Sequence, residues 1–319
     1  MEDGTVFVVK TLNNRDLIID KAVTIVGDSS SLIVNGTIDL ADYNAGGSTI
    51  SGLTIINVNK NAINMGDYVT DVMVSNNIIN IETDETAGTV TAVFANGYLQ
   101  GITIANNTIS LSGAADYLYA ISFPAYTTTY ADANSENIYI LNNDISINAD
   151  SDMVEAIYLS NVQDSVIENN IINEINAAAS GFTYGIQVSD MSYWGSMSGA
   201  GLLPPSNISI RANTFNLSSN HMIYGVTVIS QLAMDMSTWD MIAPDSLFYI
   251  EDNLIIANSQ KAVIAIGGLS ITQSSISNNT LEVSGVSIEG VSSVDNFGVA
   301  NAVIFLMDDR ANMRKITAL

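Results

Sequence analysis

Side chains that could act as acids, bases or nucleophiles are few and scattered in this sequence. Its 319 residues include nine Lys and Arg, one His and no Cys, against 33 Asp and Glu. Between Asn61 and Gln260 the only Lys or Arg is Arg211, so it is the sole candidate there for the base that a polysaccharide lyase requires. Because Arg211 lies two residues before a recurrent asparagine, Asn213, we interpret it as a structural surface residue.

The acidic residues and the histidine form no catalytic or metal-binding pattern. A glycosidase requires two carboxyl groups that flank the bond to be cleaved, and no such grouping is evident. His221 has no second His or Cys with which to share a metal ion, and we interpret it as an exposed turn residue. The sequence therefore predicts no catalytic residue, no metal site and no cofactor. Solvated charge is the interpretation for the acidic pairs, which are Asp84-Glu85, Asp150 with Asp152, and Asp308-Asp309.

Aromatic side chains indicate a different chemistry, which is stacking against a ligand. They are prominent in three insertions, 125–135, 191–205 and 231–245, and the last two contain both Trp residues and five Met residues. Trp and Tyr present flat faces, and Met adapts to irregular surfaces. The alternative is that the insertions pack on one another and only cover the flank of the fold. The predicted ligand-binding residues are Tyr126, Tyr130, Tyr193, Trp194 and Trp239.

A repeated sequence motif, which we call the first phrase, must position these insertions. In Val72–Ile81, apolar side chains alternate on both sides of an Asn-Asn step, which predicts a strand, a tight corner and a second strand. Successive copies are separated by 30, 36, 27, 43, 40 and 26 residues, so a fixed phrase carries variable insertions, as in a solenoid. The second residue of the step is always Asn, at Asn77, Asn107, Asn143, Asn170, Asn213, Asn253 and Asn279.

The recurrence of Asn at this corner has two candidate physical reasons. Asn tolerates the left-handed backbone conformation that a sharp corner requires. Its amide also carries a donor and an acceptor, so that stacked copies can bond to one another at the strand spacing of about 4.8 Å. We therefore predict a structural Asn ladder and no catalytic role for these residues.

A second phrase supplies a third strand in each coil. It reads as a small residue followed by apolar, variable and apolar residues, which indicates a crowded backbone at the small position. Together the phrases predict an all-β right-handed parallel β-helix with three strands per coil and roughly nine coils, forming a single domain over 1–319. The small positions are Ala62, Ala92, Ala120, Ala156, Gly185, Gly225, Ala262 and Ala302.

Composition excludes several partners. With a net charge of −24 and few basic residues, the chain is unsuited to nucleic acid or to an anionic membrane surface. The absence of Cys excludes disulfides and Cys-based metal sites. No apolar run reaches membrane-spanning length, so we expect no direct membrane insertion.

The quoted motifs also resemble a known family. The strand and Gly turn at Asp20–Gly27, the segment Ser48–Ile55 and the Asn corners are similar to the pectin-lyase-like parallel β-helix superfamily, and most of all to adhesin-like surface proteins of methanogenic archaea. The likeness covers nearly the whole chain and concerns structural motifs. It implies a non-enzymatic, extracellular cell-surface module, part of a longer protein, that binds a glycan or a partner cell-surface protein. The alternatives are a polysaccharide lyase or glycoside hydrolase on the same fold, or a purely structural stalk.

The end of the sequence carries one further expectation. Alignment of the third-strand phrases places 315–319 on 275–279, which predicts a parallel strand that stops where the next Asn corner is due. Strand edges left open at both ends would template pairing, so we expect possible end-to-end self-association.

Overall fold

The computed structural model describes residues 5–8, 10–28, 30–124, 135–178, 181–189, 204–229, 233–235, 240–242, 247–269, 274–284 and 314–317. Regular structure in these ranges is β-strand, apart from a 3-10 helix at Tyr43–Ala45. Three long sheets of 11, 11 and nine strands account for almost all of it. A small antiparallel pair, Ala233–Asp235 with Asp240–Ile242, stands apart.

The three sheets are built from strands taken in rotation along the chain. The first contains Thr5–Val8, Val23–Val26, Thr49–Ser51, Met73–Ser75, Thr103–Ala105, Tyr139–Leu141, Val162–Glu168, Ser206–Arg211, Phe248–Glu251 and Ser275–Ser277, with Ser135–Glu136 paired to Val162–Glu168. The second contains Thr11–Asn13, Leu32–Val34, Thr54–Val58, Ile78–Thr83, Thr108–Gly113, Asp144–Ala149, Ile171–Asn176, Thr214–Ser219, Leu254–Ser259, Thr280–Ser284 and Arg314–Thr317. The third contains Leu17–Ile19, Ile38–Leu40, Ile63–Met65, Thr89–Ala95, Tyr117–Phe123, Met153–Ser160, Phe182–Ser189, Met222–Ile229 and Val263–Leu269.

This rotation confirms the predicted all-β fold with three strands per coil. Along each long sheet, an inner strand pairs in parallel with its counterparts one coil before and one coil after, whereas Thr280–Ser284 of the second sheet pairs antiparallel with Arg314–Thr317. Parallel strands joined by such crossovers are consistent with a right-handed parallel β-helix. Alternate side chains point inward and form one apolar core. One inward column of the second sheet is fully buried, and its members are Ile79, Ile109, Ile145, Ile172, Phe215 and Ile255.

The seven recurrent asparagines form the predicted ladder at the corner between the first and second sheets. Asn143 shows the pattern, since its backbone N–H and its Nδ2 both donate to Oδ1 of Asn170, at 2.9 and 3.0 Å. Nδ2 of Asn143 also donates to the carbonyl of Ile104, at 2.9 Å. All seven side chains are buried, and the same bonds repeat from Asn77 to Asn279.

The left-handed backbone at this corner belongs to a different residue from the one we expected. The ladder asparagines are absent from the residues with positive φ, whereas the residue before each of them has a φ between 55° and 57°. In two coils that preceding residue is Ala212 or Asp252. Conformational tolerance therefore explains the Asn-rich position before the ladder, and buried hydrogen bonding explains the ladder itself.

The small position of the third sheet is crowded, as the second phrase predicts. A Cβ added to Gly185 would lie 2.6 Å from the carbonyl oxygen of Gly225 and 2.7 Å from Cδ1 of Phe215. The predicted alignment is wrong in the last coil, where Ile264 pairs with Tyr224, so that Ala265 takes the small position instead of Ala262. The repeated alanines of that segment allowed two alignments. Ala302 lies outside the described residues.

The segment near the end of the chain also departs from its predicted place. Arg314–Thr317 pairs antiparallel with Thr280–Ser284 in the second sheet, with Ile316 opposite Leu281. The prediction of a parallel strand in the first sheet is therefore wrong. A four-residue strand without an Asn corner has no feature that fixes its direction. The antiparallel strand covers an edge of Thr280–Ser284 that we had expected to be open.

Candidate functional site

The predicted ligand-binding residues Tyr126, Tyr130, Tyr193, Trp194 and Trp239 lie outside the described residues. Their role as binding residues stays a prediction. The described strands that immediately precede the three insertions all belong to the third sheet, which makes the outer face of that sheet the surface to consider. These strands are Tyr117–Phe123, Phe182–Ser189 and Met222–Ile229.

The outer face of the third sheet carries an unusual number of aromatic side chains. Strand pairing places Tyr119, Glu155, Tyr184 and Tyr224 in one column across four successive coils. A second column, three residues further along each strand, includes Phe94 and Tyr158. We name this surface the aromatic strip, and its members are Phe94, Tyr117, Tyr119, Tyr158, Phe182, Tyr184 and Tyr224.

The inward–outward alternation of side chains is interrupted once within each strand that carries these rings, and this interruption positions the rings. In Tyr117–Phe123, Tyr117 and Tyr119 face outward while Leu118 is buried, as simple alternation requires. Ala120 and Ile121 are both buried, so the next outward position is Ser122. Ala120 is left out of the paired positions on both sides, which indicates a local irregularity at the small residue. Outward residues thus flank the small position on both sides.

The rings of the aromatic strip pack against each other. Tyr184 and Tyr224 are stacked, with centroids 4.7 Å apart and an interplanar angle of 11°. Phe182 lies 6.2 Å from Tyr184 and 6.3 Å from Tyr224, and Tyr119 lies 6.2 Å from Tyr158. Such contacts fix the rings in place before any ligand arrives, which reduces the entropy lost on binding.

The aromatic strip is accessible, and polar groups accompany it. Tyr117 is 42% exposed and Phe182 is 39% exposed, while Tyr184 and Tyr224 are half-buried. Gln187, beside Tyr158 in the next coil, is also half-buried, and it offers both an amide donor and an acceptor. A surface of this kind suits a ligand with flat apolar faces and hydroxyl groups at its edges.

Two buried glutamates lie at this site, and sequence reasoning missed both. Glu155 is only 1% exposed although it lies in the outward column between Tyr119 and Tyr184. Glu174 is fully buried at an inward position of the second sheet, between Ile147 and Leu217. The alternation of apolar residues in 171–176 could have revealed Glu174, since it takes a position that is apolar in the neighbouring coils.

Burial raises the pKa of both glutamates well above the ordinary value. Repulsion from Glu174 raises the pKa of Glu155 further. The backbone N–H of Ala156 lies near Glu174 and lowers its pKa in part, without forming a hydrogen bond of ordinary geometry. Both carboxyl groups are therefore held in the protonated form over a wider pH range than an exposed glutamate.

His221 is not the exposed turn residue that we predicted. It is half-buried, and its ring meets Phe182 edge-on, at 5.8 Å and 87°. The physical reason is the strand register, because Met222 pairs with Phe182 and so brings the preceding residue against the aromatic strip. Its Nδ1 is buried without a hydrogen-bond partner.

Arg211 and the acidic pairs that fall within the described residues show no second site, and Asp308-Asp309 lies outside those residues. Nη2 of Arg211 lies 3.0 Å from Oε2 of Glu168 at the outer face of the first sheet, away from the aromatic strip, as a structural surface residue would. Within the described ranges, no group of three or more His, Cys, Asp or Glu could hold a metal ion. No helix in the same ranges is long and apolar enough to cross a membrane.

Comparisons with known proteins add little. No known protein family matches the sequence, and no curated protein matches it either. Among solved structures, two complexes of the catalytic domain of a GH87 alpha-1,3-glucanase with nigerose were found, at 14% and 13% identity and a TM-score of 0.21. The alignments cover 90% of this chain and 64% of the glucanase domain. At this TM-score the likeness assigns neither substrate nor activity to the chain.

Proposed function

We propose that this protein is a non-enzymatic binding module that holds a neutral glycan on the aromatic strip. The observation that carries the proposal is the ordered set of outward rings on the third sheet, with Tyr184 and Tyr224 stacked at its centre. Sugar rings expose C–H faces that stack on aromatic side chains, and their hydroxyl groups pair with amides and phenols. Gln187 and Tyr158 provide such groups in adjacent coils.

Charge favours a neutral ligand over a polyanion. The chain carries 33 acidic and nine basic residues, and the described positions that pair with the rings of the aromatic strip include no Lys or Arg, although His221 and Lys261 lie at one edge of it. Binding an acidic polysaccharide along the strip would require more cations than this edge offers. We extend the proposal to an adhesin-like role at the cell surface, where the same strip would meet a glycan or a glycosylated partner protein of another cell.

A panel of neutral oligosaccharides, including maltohexaose and cellohexaose, tests the proposal by isothermal titration calorimetry. Truncation of a stacked ring, in Tyr184→Ala or Tyr224→Ala, removes a surface on which the sugar would stack. It should weaken binding by tenfold or more, which corresponds to a loss of about 1.4 kcal/mol or more in binding free energy. Tyr249→Ala is the matched control, because Tyr249 is an exposed tyrosine on the first sheet, outside the aromatic strip. A ligand that binds both strip variants as tightly as the native protein would contradict the proposal.

Glu155 favours a second candidate function, a glycoside hydrolase. Glu155 lies in the column of the aromatic strip and its raised pKa gives it the protonation state of a general acid, but as a buried group it would have to become exposed to reach a substrate. The reaction also needs a second carboxyl group, and Glu174 points into the core. Release of reducing ends from the same oligosaccharides, abolished by Glu155→Gln, would establish the hydrolase. If no reducing ends are released, the hydrolase is rejected and the binding module is retained.

A further inference from the structure

Two buried carboxyl groups lie in and behind the aromatic strip without a cation. Oε1 of Glu155 has no hydrogen-bond partner, and neither does Oε1 or Oε2 of Glu174. Glu155 is enclosed on its two sides by Tyr119 and Tyr184. Neither carboxyl group takes part in an ion pair, since the pairs in the described part of the chain are Lys60–Asp16 and Arg211–Glu168.

The two groups act on one short stretch of the third sheet. Glu174 approaches the backbone N–H of Ala156, which is the residue after Glu155. One carboxyl group therefore lies on the outer side of this strand while the other approaches the same strand from the core. An ionised carboxylate at either place would lack both water and a positive partner, which is costly.

The groups that surround the two glutamates cannot supply that positive partner. Glu155 faces Tyr119 on the preceding strand and Tyr184 on the following one, with Tyr224 beyond it. Burial, together with Tyr224 and Glu155, raises the pKa of Tyr184, so this phenol stays neutral. Within the second sheet Glu174 has only the apolar Ile147 and Leu217 beside it.

We propose that Glu155 and Glu174 form an acid-dependent switch, in which the aromatic strip keeps its arrangement while both carboxyl groups are protonated and loosens when they ionise. Ionised Glu155 would draw water between Tyr119 and Tyr184, and ionised Glu174 would repel the carboxylate of Glu155 on the other side of the same strand. The consequence for ligand binding rests on the proposed function, because it makes the protein bind its glycan more tightly in mild acid than in mild alkali.

Proton linkage fixes the direction of the effect. The folded state holds these protons more tightly than the unfolded chain, in which Glu ionises near a pH of about 4.3. Stability is therefore greatest below that pH and falls as the pH rises towards the folded-state pKa values. In this window each carboxyl group lowers the folding equilibrium constant by up to about tenfold per pH unit, and the pair by up to about 100-fold.

Urea unfolding and near-ultraviolet circular dichroism of the ligand-free protein, from about pH 4 to about pH 9, test the switch. The native protein should lose stability and tyrosine ellipticity as the pH rises, and the double variant Glu155→Gln/Glu174→Gln should lose much less of either. Glu82→Gln is the matched control, since Glu82 is exposed on the second sheet, and it should behave as the native protein does. If the Gln variant fails to fold, Glu174→Leu, which matches Ile147 and Leu217, replaces it.

Binding of maltohexaose and cellohexaose at about pH 5 and about pH 8 separates the switch from the proposed function. We expect at least tenfold weaker binding at the higher pH for the native protein and equal binding for the double variant. If neither sugar binds at any pH while the tyrosine signal still changes, the proposed function fails and the switch stands. A tyrosine signal and stability that do not change with pH, or that change equally in the double variant, overturn the switch.

Discussion

At the scale of single residues, the Asn ladder sets the clearest energetic expectation. Asn170 bonds to Asn143 on one side and to Asn213 on the other, and all three are buried. Replacement by Ala removes the acceptor of the Asn143 backbone N–H, and it also removes the Nδ2 donor to Oδ1 of Asn213 and to the carbonyl of Ile140. We expect Asn170→Ala to lower the free energy of unfolding by about 1–3 kcal/mol, the usual cost of unsatisfied buried polar groups, as measured by urea denaturation. An unchanged midpoint would show that water replaces the amide.

The residue before the ladder allows a stabilising change. Ala212 has a φ of 55°, whereas the neighbouring coil has Asn169 at a φ of 57°, and both are exposed. Because a left-handed conformation costs an ordinary L-residue about 1–2 kcal/mol and costs Asn less, Ala212→Asn should raise the free energy of unfolding by about 1 kcal/mol. Thermal unfolding measures the gain. The reverse change in the preceding coil, Asn169→Ala, is the control and should lower the free energy of unfolding by a similar amount.

At the scale of the strand, the small position controls how closely the second and third sheets approach. A Cβ on Gly185 would collide with a backbone carbonyl of the next strand as well as with the ring of Phe215. We expect Gly185→Ala to lower the free energy of unfolding by about 1–3 kcal/mol, the range for overpacking.

Adding Phe215→Leu to Gly185→Ala should recover part of this loss, because it removes one of the two collisions. Equal losses in the single and double variants, compared in a double-mutant cycle, would assign the cost to the backbone carbonyl of Gly225 alone.

The elements differ in how far the sequence could predict them. The strands around Asn77 to Asn279 were predictable because alternation, the fixed Asn and a constant coil direction agree. The burial of His221 was not predictable, because it depends on the pairing of Met222 with Phe182 in another coil.

The aromatic strip was only partly within reach of the sequence. Its rings lie within the second phrase, as Tyr158 does, or up to three residues before its small position, as Tyr119 does before Ala120. That they form one surface follows only from the pairing of strands far apart in the chain. Glu155 stands directly before the small position Ala156, and nothing in the local sequence indicates that Tyr119 and Tyr184 enclose it. The formation of the aromatic strip and the burial of Glu155 both depend on the pairing register of distant strands, and not on local propensity.

At the scale of the whole molecule, three strands of the first coil each pair on one side only within the described part of the chain. They are Thr5–Val8, Thr11–Asn13 and Leu17–Ile19. Since unpaired edges template further pairing, we predict that the average mass measured by sedimentation velocity rises with protein concentration. A single monomeric mass across the accessible concentrations would contradict this prediction.

The direction of the ladder bonds gives the solenoid an electrical polarity. Every amide from Asn77 onwards donates to the next coil, and none donates backwards to another ladder residue, until Asn279 donates to the carbonyls of Ile250 and Ser277. Parallel dipoles in a chain of hydrogen bonds polarise one another, so that each bond strengthens its neighbours. Interrupting the series at its centre divides one long array into two short ones, whereas a change at Asn279 removes only the final link. We therefore expect the ladder to act as one cooperative array of hydrogen bonds, in which a substitution near the middle costs more stability than one at the end.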